Sequence, residues 1–138
     1  MPFLSYSGKR PSNLGISDAR LASCPSSPNC VSSDSSDAAH RVEAFALCAS
    51  PDAAWRVLRE EVASLPRTTV VEETANYFHA ECASALFGFV DDLELHLRAS
   101  ENLVAVRSAS RVGYSDLGVN RRRVERLREI LRARGVVL

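Results

Sequence analysis

Residues 107–124 read Arg-Ser-Ala-Ser-Arg-Val-Gly-Tyr-Ser-Asp-Leu-Gly-Val-Asn-Arg-Arg-Arg-Val. Arg107 and Arg111 lie on a predicted strand, and Arg121, Arg122 and Arg123 fall in the first turn of the helix that follows. A helix N-terminus carries unpaired N–H groups and partial positive charge, so cations there call for an anion beside them. Protein acids are one source. Asp91, Asp92 and Glu94 sit on the preceding strand, and Asp91 with one arginine would bolt the helix to the sheet. A bound ligand is the other source. Arg107, Arg111, Asn120 and the Arg121, Arg122, Arg123 run would then form a small anion pocket. A β-bulge at Val90–Asp92 would swap the faces and weaken both readings.

Cys24 and Cys30 enclose Pro25 and Pro28 in a short loop. Such a loop can bring two thiols within disulfide reach, with Cα atoms closer than about 7 Å. The spacing is not the Cys-x-x-Cys of thiol oxidoreductases or common zinc sites. With cytoplasmic residence expected, two packed, reduced thiols are the expectation here, ahead of a redox pair or a metal contact. Cys48, Cys82 and His79 add no metal-ligand spacing. His79 and Glu81 share a strand face, with Glu72 across a hairpin, which reads as a polar cross-strand group rather than an acid–base site. His40 and His96 have no evident partners. Ser32 and Ser33 lack a nucleophile elbow, and Gly113 and Gly118 fit no phosphate-binding loop. No catalytic residue, metal site or cofactor is assigned.

The elements that position these residues follow from periodicity. Residues 41–49, with Val42, Phe45 and Leu47, read as a first strand. Ser50-Pro51-Asp52 opens a helix with an N-cap, a proline at the first position and an acid in the first turn. Trp55, Leu58, Val62 and Leu65 form its apolar stripe, and Pro66 ends it. Thr68–Glu73 and Tyr77–Ala83 form a hairpin turning near Ala75-Asn76. Phe87, Phe89, Asp91 and Leu93 alternate onto one face, placing Asp91 toward the helices near Ser108 and Ser110. Leu93, Leu95 and Leu97 alternate with Glu94, His96 and Arg98. Pairing Arg98 with Leu103 sets Leu97 opposite Val104, Leu95 opposite Val106 and Glu94 opposite Arg107, with Asp92 diagonal to Arg107 and Arg111. A single register serves both the apolar and the charged pairs. The last helix runs from about Asn120, its predicted N-cap, to Arg134, with Val124, Leu127 and Leu131 buried and Gly135 as its stop.

The expected fold is therefore α+β: a two-layer sandwich of about five antiparallel strands with two helices on one face. An irregular N-terminal arm, residues 1–39, packs on the domain of residues 40–138, with Phe3, Leu4, Leu14, Ile16 and Leu21 available to lie across a surface. The whole chain is one domain.

Four segments carry a family resemblance: Cys24-Pro-Ser-Ser-Pro-Asn-Cys30-Val-Ser-Ser33, His79-Ala-Glu-Cys82, Phe87-Gly-Phe-Val-Asp-Asp92, and Arg107 through Glu125. Together they resemble the bacterial and plant family DUF1499, from about Gly8 to the last helix. The resemblance implies no activity and brings no catalytic residues. Some relatives carry membrane or export segments, which this sequence does not show.

Composition narrows the function classes. The 138 residues are 46% hydrophobic and 25% charged, with 17 basic and 17 acidic residues and zero formal charge. A dedicated nucleic-acid binder would show a basic excess, so nucleic acid is not the expected partner. The last helix, for all its arginines, has an apolar stripe and internal glutamate partners. Residues 72–101 hold seven acids and one arginine, net −6, and residues 107–138 hold nine arginines and three acids, net +6. The two segments are expected to neutralise each other in the fold. No run of about 18 apolar residues is present to span a membrane, and cytoplasmic residence is the expectation. The leading functional expectation is a non-catalytic module that binds a small anionic ligand or an acidic partner segment near the arginine-rich strand, loop and helix. The alternatives are a thiol enzyme using Cys24 and Cys30, or a protein that dimerises through the sheet face opposite the helices, around Leu103 and Ala105.

Overall fold

The computed structural model describes residues 8–85 and 88–138. Phe3, Leu4 and Phe87, singled out above, lie outside the described residues. In chain order the elements are β1 (Ile16–Ser17), β2 (Arg20–Leu21), β3 (Cys30–Ser32), β4 (Phe45–Ala46), α1 (Pro51–Ala63), β5 (Thr68–Glu73), β6 (Tyr77–Ala83), β7 (Val90–Arg98), β8 (Leu103–Ser110) and α2 (Val119–Ala133). The fold is α+β. The main sheet is antiparallel and has six strands in the order β3-β8-β7-β6-β5, with β4 beside β3 on the same edge of β8.

The local signals act where they were expected. Ser50 caps α1 by accepting the Ala53 N–H at 3.3 Å, and Trp55, Leu58 and Val62 are buried. The β5–β6 hairpin has its predicted bounds. The β7–β8 register pairs Arg98 with Leu103, Leu97 with Val104, Leu95 with Val106 and Glu94 with Arg107. Leu93, Leu95, Val104 and Val106 project from one sheet face and meet Leu58, Val124, Leu127 and Leu131 of the helices in a single core. Truncating one such leucine to alanine costs about 2–5 kcal/mol, from lost transfer energy and the cavity left behind.

Two expectations are corrected. The strand expected over residues 41–49 shrinks to Phe45–Ala46. β3 already occupies the rest of that β8 edge, and the other side of this segment bonds the C-terminal tail, through Cys48 N–H to Val136 O at 3.0 Å and Leu138 N–H to Ala46 O at 2.9 Å. The arm is also less irregular than expected. Its Cys30–Ser32 pairs with Arg107–Ala109, because Val31 adds an apolar side chain to the core face.

The arm then crosses the sheet face opposite the helices. Leu21 packs on Tyr77, Leu103 and Ala105. Ala105, Glu94 and His79 are buried beneath it. The arm therefore covers this face around Ala105, one of the two residues named for dimerisation.

Candidate functional site

Successive residues of a strand point to opposite faces. On β8 this separates the expected arginine site into two. Arg107 and Arg111 face the arm, while Ser108 and Ser110 face α2 together with Arg123 and Asn120. The sheet stands between the two groups, so no common anion pocket joins them.

The helix-side group is a lock. Arg123 Nη2 lies 2.8 Å from Asp91 Oδ2, and its Nη1 donates to Asn120 Oδ1 at 2.8 Å and Ser108 Oγ at 3.1 Å. Asn120 is not the N-cap. It sits inside the first turn of α2, fully buried, with its amide donating toward Ser110 Oγ, Asp116 Oδ2 and Asn29 O. Gly118 takes the cap position with φ of 80°, a left-handed conformation that glycine adopts without penalty. The acid at the helix start is Asp116, which accepts the Gly118 N–H at 2.7 Å and the Asn120 N–H at 3.0 Å. Burial raises the Asp116 carboxyl, but hydrogen bonds from the Asn120 backbone, the Asn120 side chain and the Gly118 N–H outweigh it and hold it below the usual range.

Of the three helix arginines it is Arg123 that pairs with Asp91, and Arg121 and Arg122 bond backbone carbonyls instead. Arg121 donates to the carbonyls of Ala39 and Arg41, both at 3.0 Å, and Arg122 to the Leu117 carbonyl at 2.9 Å. The acceptors are backbone carbonyls, which no charge pattern in the sequence signals.

The arm-side group is a buried polar layer. Arg111 grips Asp92 with its Nε–Nη2 edge, both bonds 2.8 Å, and also reaches Glu81 at 2.5 Å. Glu81 accepts in addition from Arg10, at 2.6 Å. His79 Nε2 meets Asp92 Oδ1 at 2.7 Å, although Glu72 stands opposite His79 across the hairpin. Asp92 is 1% exposed. Burial pushes its carboxyl up, but hydrogen bonds from Arg111 and His79 prevail and hold it below the usual carboxylate range. Asp92 thus belongs to Arg111 alone of the two arginines expected near it.

Glu94 is fully buried and accepts from the Tyr77 hydroxyl at 2.6 Å and the Gly15 N–H at 2.8 Å. Burial, then the neighbouring Glu94 charge, push the Tyr77 phenol well above its usual value, so it remains a donor. At the far end, Asp34 accepts two bonds from Arg98, at 2.9 and 2.5 Å, and the Leu21 N–H. His96 accepts from Arg98 Nε at 3.2 Å, and His40 lies between Asp37 and the Ser27 carbonyl.

Arg107 is the exception in this layer. It is 3% exposed, yet its contacts are long: Nη1 lies 3.5 Å from Glu94 Oε1 and Nη2 3.5 Å from the Ser23 carbonyl. Its Nε is buried and has no hydrogen-bond partner among the described residues. Normal N–H···O bonds span about 2.7–3.2 Å, so this guanidinium is under-bonded. It lines a cavity of about 380 Å³ together with Arg111, Asp92, Ser23 and the Cys24–Cys30 pair.

Cys24 and Cys30 are joined in a disulfide, with Cα atoms 5.7 Å apart. The expectation of two reduced thiols is corrected. Cys24 thus returns to Cys30 on β3, which itself pairs with Ala109. The two constellations treated as separate in the sequence, the β8 arginines and the cysteines, therefore border one cavity.

A larger hollow of about 590 Å³ runs between α2 and the β5–β6 edge, floored by Cys82. Its inner guanidinium, Arg123, is already held by Asp91. Among the described residues there is no cluster of His, Cys, Asp and Glu suited to a metal ion, and no helix long and apolar enough to cross a membrane.

Asp116, Tyr77 and Asp34 were missed from sequence. Asp116 had a local signal, an acid two residues before a glycine and four before the helical Asn120, the pattern of an Asx-turn. Tyr77 follows from the β6–β7 register, where it is diagonal to Glu94. Asp34 has no sequence signal, because its partners Leu21 and Arg98 lie 13 and 64 residues away and outside any repeating pattern.

A family model described as a protein of unknown function (DUF1499) matches residues 20–131. No curated protein and no solved structure matches the chain.

Proposed function

The chain belongs to the DUF1499 family, whose description names no activity, and from its own residues we propose that it is a binding module for a small anionic group. The site is the arm-covered cavity at Arg107, with Arg111 as its fixed wall. The observation that carries this reading is the under-bonded guanidinium of Arg107 at 3% exposure. A buried cation is costly unless paired and hydrogen-bonded, and arginine presents a rigid fork of donors suited to anions. A cavity of about 380 Å³ lies within the ordinary range of small-molecule sites. Binding fits better than catalysis because the other ionisable groups of the cavity are committed to one another: Asp92 to Arg111 and His79, Arg111 to Asp92 and Glu81.

Thermal unfolding with a panel of simple anions tests the proposal, on the wild-type protein and on Arg107→Gln. An anion at about 100 times its dissociation constant stabilises the folded state by about 2.7 kcal/mol, which raises the midpoint by several degrees. A panel without effect on the wild type, or an equal effect on Arg107→Gln, rejects the site.

A second reading, thiol–disulfide exchange, draws on the Cys24–Cys30 bond bordering the same cavity. A substrate thiolate would attack one sulfur and form a mixed disulfide, and the second thiol of that substrate would close its own disulfide and leave both cysteines reduced. Stoichiometric oxidation of a small dithiol, lost in Cys24→Ser, tests it. The disulfide also favours an oxidising compartment over the cytoplasm expected from sequence.

A further inference from the structure

We infer that the anion taken by the Arg107 cavity is a small monocarboxylate, gripped side-on by the Nε–Nη2 edge of that arginine; the inference rests on the anion-site reading above. Three observations carry it. The first is the open edge. Nε has no partner among the described residues and Nη2 has only the Ser23 carbonyl, at 3.5 Å. Two coplanar oxygens of a carboxylate match this edge. The protein already displays the arrangement one residue pair away, where Arg111 turns the same edge on Asp92 with both bonds at 2.8 Å. Ser23 is an exposed arm residue, so a ligand oxygen takes the place of its carbonyl through a small shift of the arm.

The second observation is charge. Arg10, Arg107 and Arg111 face Glu81, Asp92 and Glu94, with His79 also against Asp92. Glu94 leans on the Tyr77 hydroxyl and the Gly15 N–H at short distance, which leaves the charge of Arg107 only loosely engaged. A monoanion adds one negative charge, beside this loosely held guanidinium. The second charge of a phosphate or sulfate would add repulsion from Asp92, whose partners Arg111 and His79 are already engaged.

The third is the lining. Pro11, Pro25, Ala109 and the disulfide border the cavity beside the arginines. Asn13, Ser23 and Ser110 interrupt this lining, so the rest of the ligand meets a mixed wall that is apolar at the prolines, which have no N–H to donate, and the size of the cavity limits it to a short or single-ring body.

The test is a titration of the full chain, labelled with nitrogen-15, with benzoate, benzamide and inorganic phosphate at equal low ionic strength. It is read by the arginine side-chain Nε–H resonances and by calorimetry. Arg107→Lys, which keeps the charge and loses the fork, assigns the Arg107 signal. The expected result is that benzoate moves the Arg107 Nε–H resonance, while benzamide and phosphate bind at least tenfold more weakly. Arg107→Lys is expected to weaken benzoate at least tenfold. If phosphate moves that resonance and benzoate does not, the carboxylate assignment falls and the anion site stands. If none of the three moves it, or if benzamide binds as well as benzoate, both fall. Should Arg107→Lys fail to fold, competition between benzoate and phosphate on the wild-type protein still separates these outcomes.

Discussion

Asp92→Asn probes the buried layer beneath the arm. The carboxylate is 1% exposed and takes two hydrogen bonds from Arg111 and one from His79. Asparagine keeps the shape and one acceptor but removes the charge and leaves an amide against the guanidinium. Breaking a buried ion pair costs about 3–5 kcal/mol, because the remaining charge is stranded. Here Arg111 retains Glu81 at 2.5 Å, so the loss falls at the lower end, about 3 kcal/mol. In a urea titration with a slope of about 2 kcal/mol/M this lowers the midpoint by roughly 1.5 M. The pH dependence supplies a second reading. The folded-state carboxyl is depressed, so its contribution is present above the unfolded value of about 3.9 and is lost as pH falls through the folded value. Wild-type stability therefore declines on that acid limb, and Asp92→Asn loses this part of the decline. A loss under about 1 kcal/mol at neutral pH, with an unchanged acid limb, would refute the reasoning that the Arg111–Asp92 fork holds the layer together.

Asn120→Ala removes the amide that ties α2 to Ser108, Ser110 and Asp116; a loss of about 2–4 kcal/mol is expected from stranded buried partners, and amide exchange should quicken first at the start of α2. Asp116→Ala removes the helix cap and should cost about 1 kcal/mol in chemical unfolding, far less than Asn120→Ala. Thiol titration should find one fast-reacting group in the native protein, the exposed Cys48, and a second only on unfolding, the buried Cys82. Reductant should then expose the Cys24–Cys30 pair, and its loss should cost about 2 kcal/mol, as expected for a short closed loop. Leu127→Ala, at a fully buried core position, should lose about 2–5 kcal/mol without changing the Arg107 resonance.

What could be read from sequence was local or periodic. The β5–β6 hairpin, the β7–β8 register, the α1 cap and the apolar stripes of both helices each depend on residues close together in the chain. The register was legible because one alignment satisfies Leu95 with Val106 and Glu94 with Arg107 together. The start of α2 was misjudged by two positions, since Asn120 has the chemistry of a cap but lies where the turn needs a buried amide. The cap is built instead by Asp116 and the left-handed Gly118.

The candidate site belongs to the other category. Arg107 and Arg111 were legible as charged residues on a strand, and Cys24 and Cys30 as a loop pair. That they border one cavity depends on the arm crossing the sheet, on β3 pairing with β8, and on Cys24 closing onto Cys30. Likewise, strand alternation puts Arg107 and Arg111 on the face opposite Ser108 and Ser110, but only the tertiary structure showed that the arm covers that face. Periodicity sets which face a side chain takes; it says nothing of what covers that face. Helices cover one side through an apolar stripe that the sequence shows openly. The arm covers the other through single contacts, Leu21 on Tyr77, Gly15 on Glu94 and Asp34 on Arg98, each far apart in the chain and without a repeating pattern. Long-range, aperiodic contacts leave no local signature, so the sequence by itself determined the helices and strands β5 to β8, and the folded chain alone decided that β3 joins the sheet and that Arg107 is buried beneath the arm without a full set of partners.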